Sequence, residues 1–284
     1  MKTFAVLFAT ATLAAQTAAP PKLRASRDTY HPVIDVLKDK RGAVTDDQLA
    51  ELATYPLEAI WGILRGLGYT NSHYAGLKPT RPEARLVGRA LTIRYLPRRP
   101  DLVEAMQTLA KEGDWPVAYN VRAGEDARPG DVLVVDLGGG VPDGIFFGDI
   151  SALGAQMAGA RGAVLYGSSR DLGELRAMKD FPVFAAGYDP GVATQIGVDW
   201  NAPVRVGSAT VLPGDVVVAE EEAVLFFPPS VVPQLLERVR KFVAQEEFER
   251  VLTRERKHRF RDVYPLSPEL RKQFEAEWEK KNPK

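Results

Sequence analysis

A three-layer α/β fold with a helical C-terminal extension is predicted for this chain by three observations. Short apolar runs of strand length recur along it (Val132 to Leu137, Ala163 to Tyr166, Val183 to Ala185, Pro203 to Val206, Val216 to Ala219). Between and before them lie segments whose apolar residues repeat at helical spacing, joined by short turns of Gly, Pro and Asp. The composition is that of an ordinary globular protein: 284 residues, 45% hydrophobic and 26% charged, enough for one large domain with appendages.

The elements follow in order. Residues 1–19, MKTFAVLFATATLAAQTAA, carry one lysine, an apolar run with threonines and small residues before Pro20-Pro21, the pattern of a secretory signal peptide. Cleavage is expected among residues 14–19, leaving an exported product; the alternative, an uncleaved membrane anchor, is short for a full span. Residues 20–44 read as an extended lead-in, rich in proline and polar groups. Thr45 then caps a helix predicted from Asp46 to Tyr55, with acids in its first turn. After Pro56 a second helix carries Leu57, Ile60, Trp61 and Leu64 on one side and stops at Gly66 and Gly68. Residues 69–85 read as a loop holding His73, and Gly88 to Pro97 as a strand. A helix is predicted over Leu102 to Lys111, and Pro129-Gly130-Asp131 turns the chain into the strand at Val132. The Gly138-Gly139-Gly140 run lacks the Gly-Lys-Ser/Thr of a phosphate loop and is expected only to let backbone pass close to a ligand. Residues 45–229 make up the α/β domain, and residues 230–284 a helical extension that begins with a long charged helix carrying Val231, Leu235, Val239 and Val243 on one face.

Chemistry concentrates between Gly148 and Asp171, in GDISALGAQMAGARGAVLYGSSRD. Gly148 and Asp149 open a helix with Ile150, Leu153 and Met157 at helical spacing; Gly159 and Gly162 end it, and a strand leads through Ser168 and Ser169 to Arg170-Asp171. A helix–strand unit of this length can bring its two ends together. The N–H groups of residues Gly148, Asp149, Ile150 and Ser151 and the partial positive charge of the helix start favour an anion, and the Arg170 fork matches a carboxylate. Asp171 supplies a hard oxygen for a divalent ion, Mg2+ or Mn2+, which needs only one or two protein carboxylates. Glu174, three residues on, lies on the same helical face as Asp171 and could support a water of that ion, or stand as a surface acid.

The stretch resembles the signature of the RraA-like family, which holds the regulator of ribonuclease E activity A and the class II 4-hydroxy-4-methyl-2-oxoglutarate aldolases. The aldolase pattern, an Asp, twenty residues, then Arg-Asp, is matched by Asp149, residues 150–169 and Arg170-Asp171. The segments RPGDVLVVDLGGG, FPVFAAGYDP and LPGDVVVAEEEAVLFFP are similar to the family's flanking text. The resemblance implies a swivelling β/β/α sandwich, trimers or dimers of trimers with the site between subunits, and retro-aldol cleavage to pyruvate with oxaloacetate decarboxylation beside it. It implies Asp171 as metal anchor, Arg170 and Asp149 as catalytic groups, and a glutamate of the late helix, Glu246 or Glu247, reaching a neighbouring subunit's site. Two departures stand out: Ile60-Trp61-Gly62 where relatives carry Asp-Ala-Leu, and Ala223 where relatives carry Gly, so that the turn there must avoid positive φ.

Other classes are disfavoured. Lys+Arg and Asp+Glu both number 37 and no basic cluster with interleaved aromatics occurs, which argues against nucleic acid. With no cysteine and three scattered histidines, thiolate sites, disulfides and HxxxH zinc sites are excluded. Two alternatives to the aldolase remain: a non-catalytic binding protein like the ribonuclease regulator, and a metal-enolate enzyme acting on another exported oxo acid or sugar acid.

Overall fold

The computed structural model describes residues 31–113 and 118–283. The predicted signal segment and the first part of the predicted lead-in lie outside the described residues. The chain opens with three helices, α1 (Pro32–Arg41), α2 (Asp46–Leu52) and α3 (Leu57–Gly66), then two short strands, β1 (His73–Tyr74) and β2 (Lys78–Pro79), and the long β3 (Leu86–Pro97). Next come α4 (Pro100–Gly113), α5 (Tyr119–Asp126), β4 (Asp131–Asp136), α6 (Asp149–Ala158), β5 (Gly162–Ser169), α7 (Leu172–Ala177) and β6 (Val183–Tyr188). The strands β7 (Gln195–Trp200), β8 (Val204–Val206), β9 (Ala209–Val211), β10 (Val216–Ala219) and β11 (Val224–Phe227) precede α8 (Val232–Glu255), α9 (Phe260–Val263) and α10 (Pro268–Lys281).

The main sheet runs β1-β11-β10-β3-β4-β5-β6-β2, with β3 to β6 parallel and the outer pairs antiparallel. Strand β3 is the pivot. One edge takes β4 along Arg89 to Arg94, while the other takes β10 at Leu86 to Arg89 and then β7 from Ile93 onward. This sharing curls the sheet, and alternation of side chains sorts its residues into two cores. Leu91, Ile93, Leu133, Val135 and Leu165 face the helices α4 to α7, whereas Ala90, Val132, Val134 and Val164 face β8, β9, β10 and β11. The outer face of β10 and β11 is covered in turn by α2, α3 and α8, through Val216, Val218, Leu225 and Phe227. The mixed α/β class with a curled sheet therefore holds, and the N- and C-terminal helices add a further layer.

Local chemistry accounts for the anticipated elements. Thr45 and Gln48 form a reciprocal capping box at α2, and α3 buries Leu57, Ile60 and Leu64. Trp61 is only half-buried; its Nε1–H donates to His73 Nδ1 at 3.1 Å, tying the predicted loop to α3. Three expectations change. The lead-in is helical over Pro32–Arg41, with proline at its start and lysines and arginine in its last turn. The 69–85 loop contains β1 and β2, each only two residues long and seen by no periodicity. The helix α5 and the strands β7, β9 and β11 were not anticipated: the buried side of α5 consists of Tyr119, Arg122 and Ala123, which carry no apolar rhythm. At Ala223 the turn avoids positive φ, closed by Glu220 N–H donating to the Ala223 carbonyl at 3.0 Å.

Candidate active site

The predicted meeting of helix start and strand end is present, and the backbone explains it. Residues 144–147 run beside the end of β5: Ser168 N–H donates to the Gly144 carbonyl at 2.7 Å, Phe146 N–H to that of Ser168 at 3.1 Å, and Arg170 N–H to that of Phe147 at 3.2 Å. The Ser169 hydroxyl also donates to the Phe147 carbonyl, at 2.9 Å. This zipper carries the chain to Gly148, the N-cap of α6, directly against Arg170 and Asp171. The corner lies beyond the carboxyl ends of parallel strands, where open α/β sheets commonly receive ligands.

Asp171 sits in the left-handed region (φ 57°, ψ 45°), which an Asp tolerates and most residues avoid. That strain aims its carboxylate back at α6: Oδ2 accepts from Asp149 N–H at 3.2 Å and lies 3.5 Å from Arg170 Nε. A Cβ at position 148 would collide with the same oxygen, so a larger residue there would push the Asp171 carboxylate out of this position. Both side chains of the Arg170–Asp171 pair remain substantially open, 44% and 36% exposed. Hence Gly148, Asp149, Arg170 and Asp171 converge, and part of the anion slot at the helix start is filled by the protein's own carboxylate. Ser151 is held by Asn120, whose Nδ2 donates to its hydroxyl at 3.1 Å. Ile150 stands 81% exposed, and Glu174 is exposed on α7.

Glu246 and Glu247 are engaged on their own helix, with Arg250 at 3.0 and 3.6 Å and, for Glu247, Arg254 at 3.3 Å. Within one chain the structure does not join them to the corner. Among the described residues no group of three or more His, Cys, Asp or Glu could enclose a metal, so an ion at Asp171 fits only the mode in which one or two carboxylates and waters suffice, as magnesium allows. No helix among the described residues is long and apolar enough to cross a membrane. The Gly138-Gly139 step has its own reason: both take positive φ, and Gly139 passes against the Tyr166 ring.

A cavity of about 250 Å3 adjoins the corner, lined by Tyr95, Arg98, Asn120, Phe146 and Gln195 among others. Sequence reasoning missed these residues, which come from β3 and the residue after it, α5, the segment before α6, and β7, and share no local motif. Larger hollows lie elsewhere, about 520 Å3 beneath α1 and about 380 Å3 beside Phe260 and Tyr264, among other elements.

Fold and corner together define a mixed α/β protein with a half-open Arg–Asp pair at a helix start. Residues 42–226, well over half the chain, match the model described as RraA-like: Aldolase/RraA, and the chain belongs to that family. It is 27% identical over 202 residues to a Halalkalibacterium halodurans protein named "Putative 4-hydroxy-4-methyl-2-oxoglutarate aldolase", spanning 71% of this chain and 86% of that one. A Dechloromonas aromatica protein of the same name is 39% identical over 103 residues, 36% of this chain and 61% of the relative. The fold is similar to that of Streptomyces coelicolor RraAS2, a member of the RNase ES inhibitor RraA family, with a TM-score of 0.63 at 24% identity over 74% of this chain and 98% of that one.

Proposed function

We propose that the protein is a divalent-metal-dependent class II aldolase that cleaves a 4-hydroxy-2-oxo acid of the 4-hydroxy-4-methyl-2-oxoglutarate type to pyruvate, and that it also decarboxylates oxaloacetate. The observation that carries this reading is the strained, half-open Asp171 carboxylate set beside Arg170 and the start of α6. Asp171 would hold Mg2+ or Mn2+, and the ion, when bound, supplies Lewis-acid stabilisation of the developing negative charge. Arg170, with its side chain open to solvent, binds the substrate carboxylate or 2-oxo oxygen and stabilises charge there. Free N–H groups at the start of α6 share the carboxylate. In the cleavage the C3–C4 bond breaks and its electron pair moves toward the 2-oxo group. The C4 hydroxyl loses its proton as C4 becomes a carbonyl, and a proton added at C3 completes pyruvate. Asp149, adjacent to the converging groups, serves this proton traffic as acid and base, directly or through a water it orients.

The reading includes a homo-oligomer, a trimer or hexamer. Ile150, Leu153 and Met157, the apolar stripe of α6, are 81%, 51% and 78% exposed and form a surface that a second copy would cover, bringing Glu246 or Glu247 of a neighbour toward the corner. Export of the mature chain completes the proposal and rests on the sequence of residues 1–19.

The test is pyruvate release from 4-hydroxy-4-methyl-2-oxoglutarate and from oxaloacetate, with magnesium, with chelator and with Asp171→Ala. Release that requires metal and drops by about 100-fold or more in the variant is expected. No release from either compound by folded, metal-supplied protein would move the reading toward the binding-protein alternative.

A further inference from the structure

The cavity beside the corner has features that the cleavage chemistry just described does not use. Phe146 forms part of its wall and lies two residues before Gly148, so cavity and helix start are within roughly 8 Å along the backbone. Asn120 belongs to both, lining the cavity while donating to Ser151 of α6. The cavity's residues are held firmly. Tyr95 is buried, and its ring meets Phe146 edge to face at 5.7 Å and Tyr119 at 6.1 Å.

Two polar groups in this lining lack the partners they call for. Arg98 is exposed; its Nε–H reaches the Gln195 backbone carbonyl at a long 3.3 Å, and among the described residues its guanidinium forms no ion pair. The nearby acid, Asp101, is taken by Arg99. Gln195 is only 9% exposed, and its side-chain Nε2 donates to the Leu137 carbonyl at 3.0 Å. Because that carbonyl can only accept, the orientation of the amide is determined, and Oε1 is left as a buried acceptor with no donor. That acceptor is covered by the protein and closed to a ligand in the cavity, so the open polar group of the two is Arg98.

We infer that this cavity is the subsite for the far end of the substrate, with Arg98 binding the distal carboxylate and Tyr95 and Phe146 packing against an alkyl substituent. A planar guanidinium pairs with a carboxylate through two parallel hydrogen bonds, and the aromatic wall suits a methyl group. The subsite makes the enzyme selective for dicarboxylic substrates: one carboxylate at the α6 start with Arg170, the other at Arg98. This assignment rests on the aldolase reading for its substrate, but the binding site itself can be tested without turnover.

Two variants separate the roles. Arg98→Met acts on an exposed side chain and preserves the fold, and Gln195→Leu keeps the buried volume. With 4-hydroxy-4-methyl-2-oxoglutarate, Arg98→Met is expected to lower kcat/KM about 10- to 100-fold. With 4-hydroxy-2-oxopentanoate, which has no distal carboxylate, the same variant should stay within about twofold of wild type. Gln195→Leu, at a side chain closed to the ligand, should stay within about twofold of wild type on both substrates. An equal fall on the monoacid and the diacid in Arg98→Met, or no fall on either, would overturn the assignment. The second measurement is calorimetric binding of citramalate, a methylated α-hydroxy diacid. Binding weakened about tenfold or more by Arg98→Met supports the subsite even if the wild type cleaves nothing, in which case only the aldolase reading fails. Citramalate affinity unchanged by Arg98→Met removes the subsite and leaves the aldolase reading standing.

Discussion

Two of the molecule's Arg–Asp pairs lie in opposite environments. Arg41 and Asp215 come from positions 174 residues apart, meet at 2.6 Å, and are 10% and 6% exposed. Arg170 and Asp171 are adjacent in sequence, lie 3.5 Å apart, and are 44% and 36% exposed. The first pair joins the end of α1 to the turn before β10, where Asp215 also accepts from Leu212 N–H at 2.8 Å. Burial pushes the Asp215 carboxyl up to about 6, against the opposing pull of Arg41 and of that N–H. The second pair holds a strained backbone and leaves both heads available. A buried pair is bound to the fold, whereas an open, strained pair is available to a ligand, and the two should respond to mutation in opposite ways.

The largest separation is expected from matched removals. Asp215→Ala should cost about 3 to 5 kcal/mol in urea titration, because Arg41 is left buried without its counter-charge. Asp171→Asn keeps a residue suited to left-handed backbone, so stability should change by less than about 0.5 kcal/mol while pyruvate release collapses. Comparable losses of stability from both would erase the distinction. Next in size, Gly148→Ala should lower kcat about 10- to 100-fold, since a Cβ there displaces Asp171 Oδ2. Steady-state kinetics equal to wild type would show that the Asp171 position is unimportant. The smallest effect is that of pH. With its native value near 6 and its ordinary value 3.8, Asp215 binds protons more readily in the folded state between these limits. Stability contributed by this group is therefore greatest below the window and declines as pH rises through it, by about 1 to 3 kcal/mol. Melts from pH 4 to 7 should show that decline, and Asp215→Asn should flatten it.

A second contrast sharpens the first. Helices α3 and α6 each have ten residues, and each carries apolar side chains at helical spacing. In α3 the stripe is buried, with Ile60 and Leu64 fully inaccessible, under α8. In α6 the buried residues are Ala152 and Ala155, packed toward α5, and the larger stripe faces outward. Leu64→Ala should cost about 2 to 5 kcal/mol whatever the protein concentration. Met157→Glu should leave the isolated fold intact but make assembly concentration-dependent, read by light scattering. An unchanged assembly would remove α6 from the proposed interface.

These contrasts mark how much could be read before the fold was known. The Gly148–Asp171 unit was legible because its helix, strand and turn are contiguous, although the pairing of residues 144–147 with the end of β5, which holds its two ends together, was not. The late helix and the strands at Val132, Val183 and Val216 were legible from periodicity. Helix α5 was not, since Arg122 occupies its buried face, packed over the Trp200 ring at 4.3 Å. Nor were Arg98, Asn120 and Gln195, which reach one cavity from three separate segments.

The sequence by itself determined the α/β class, the identity of the charged groups at the corner and the glycine that lets them meet, because these depend on propensity, spacing and steric size within one short stretch. Only the tertiary structure decided which apolar stripe is core and which is surface, which Arg–Asp pair is buried, and which distant side chains share a cavity. Those properties depend on what the curled sheet places against each element, and a residue carries no local record of its long-range neighbours.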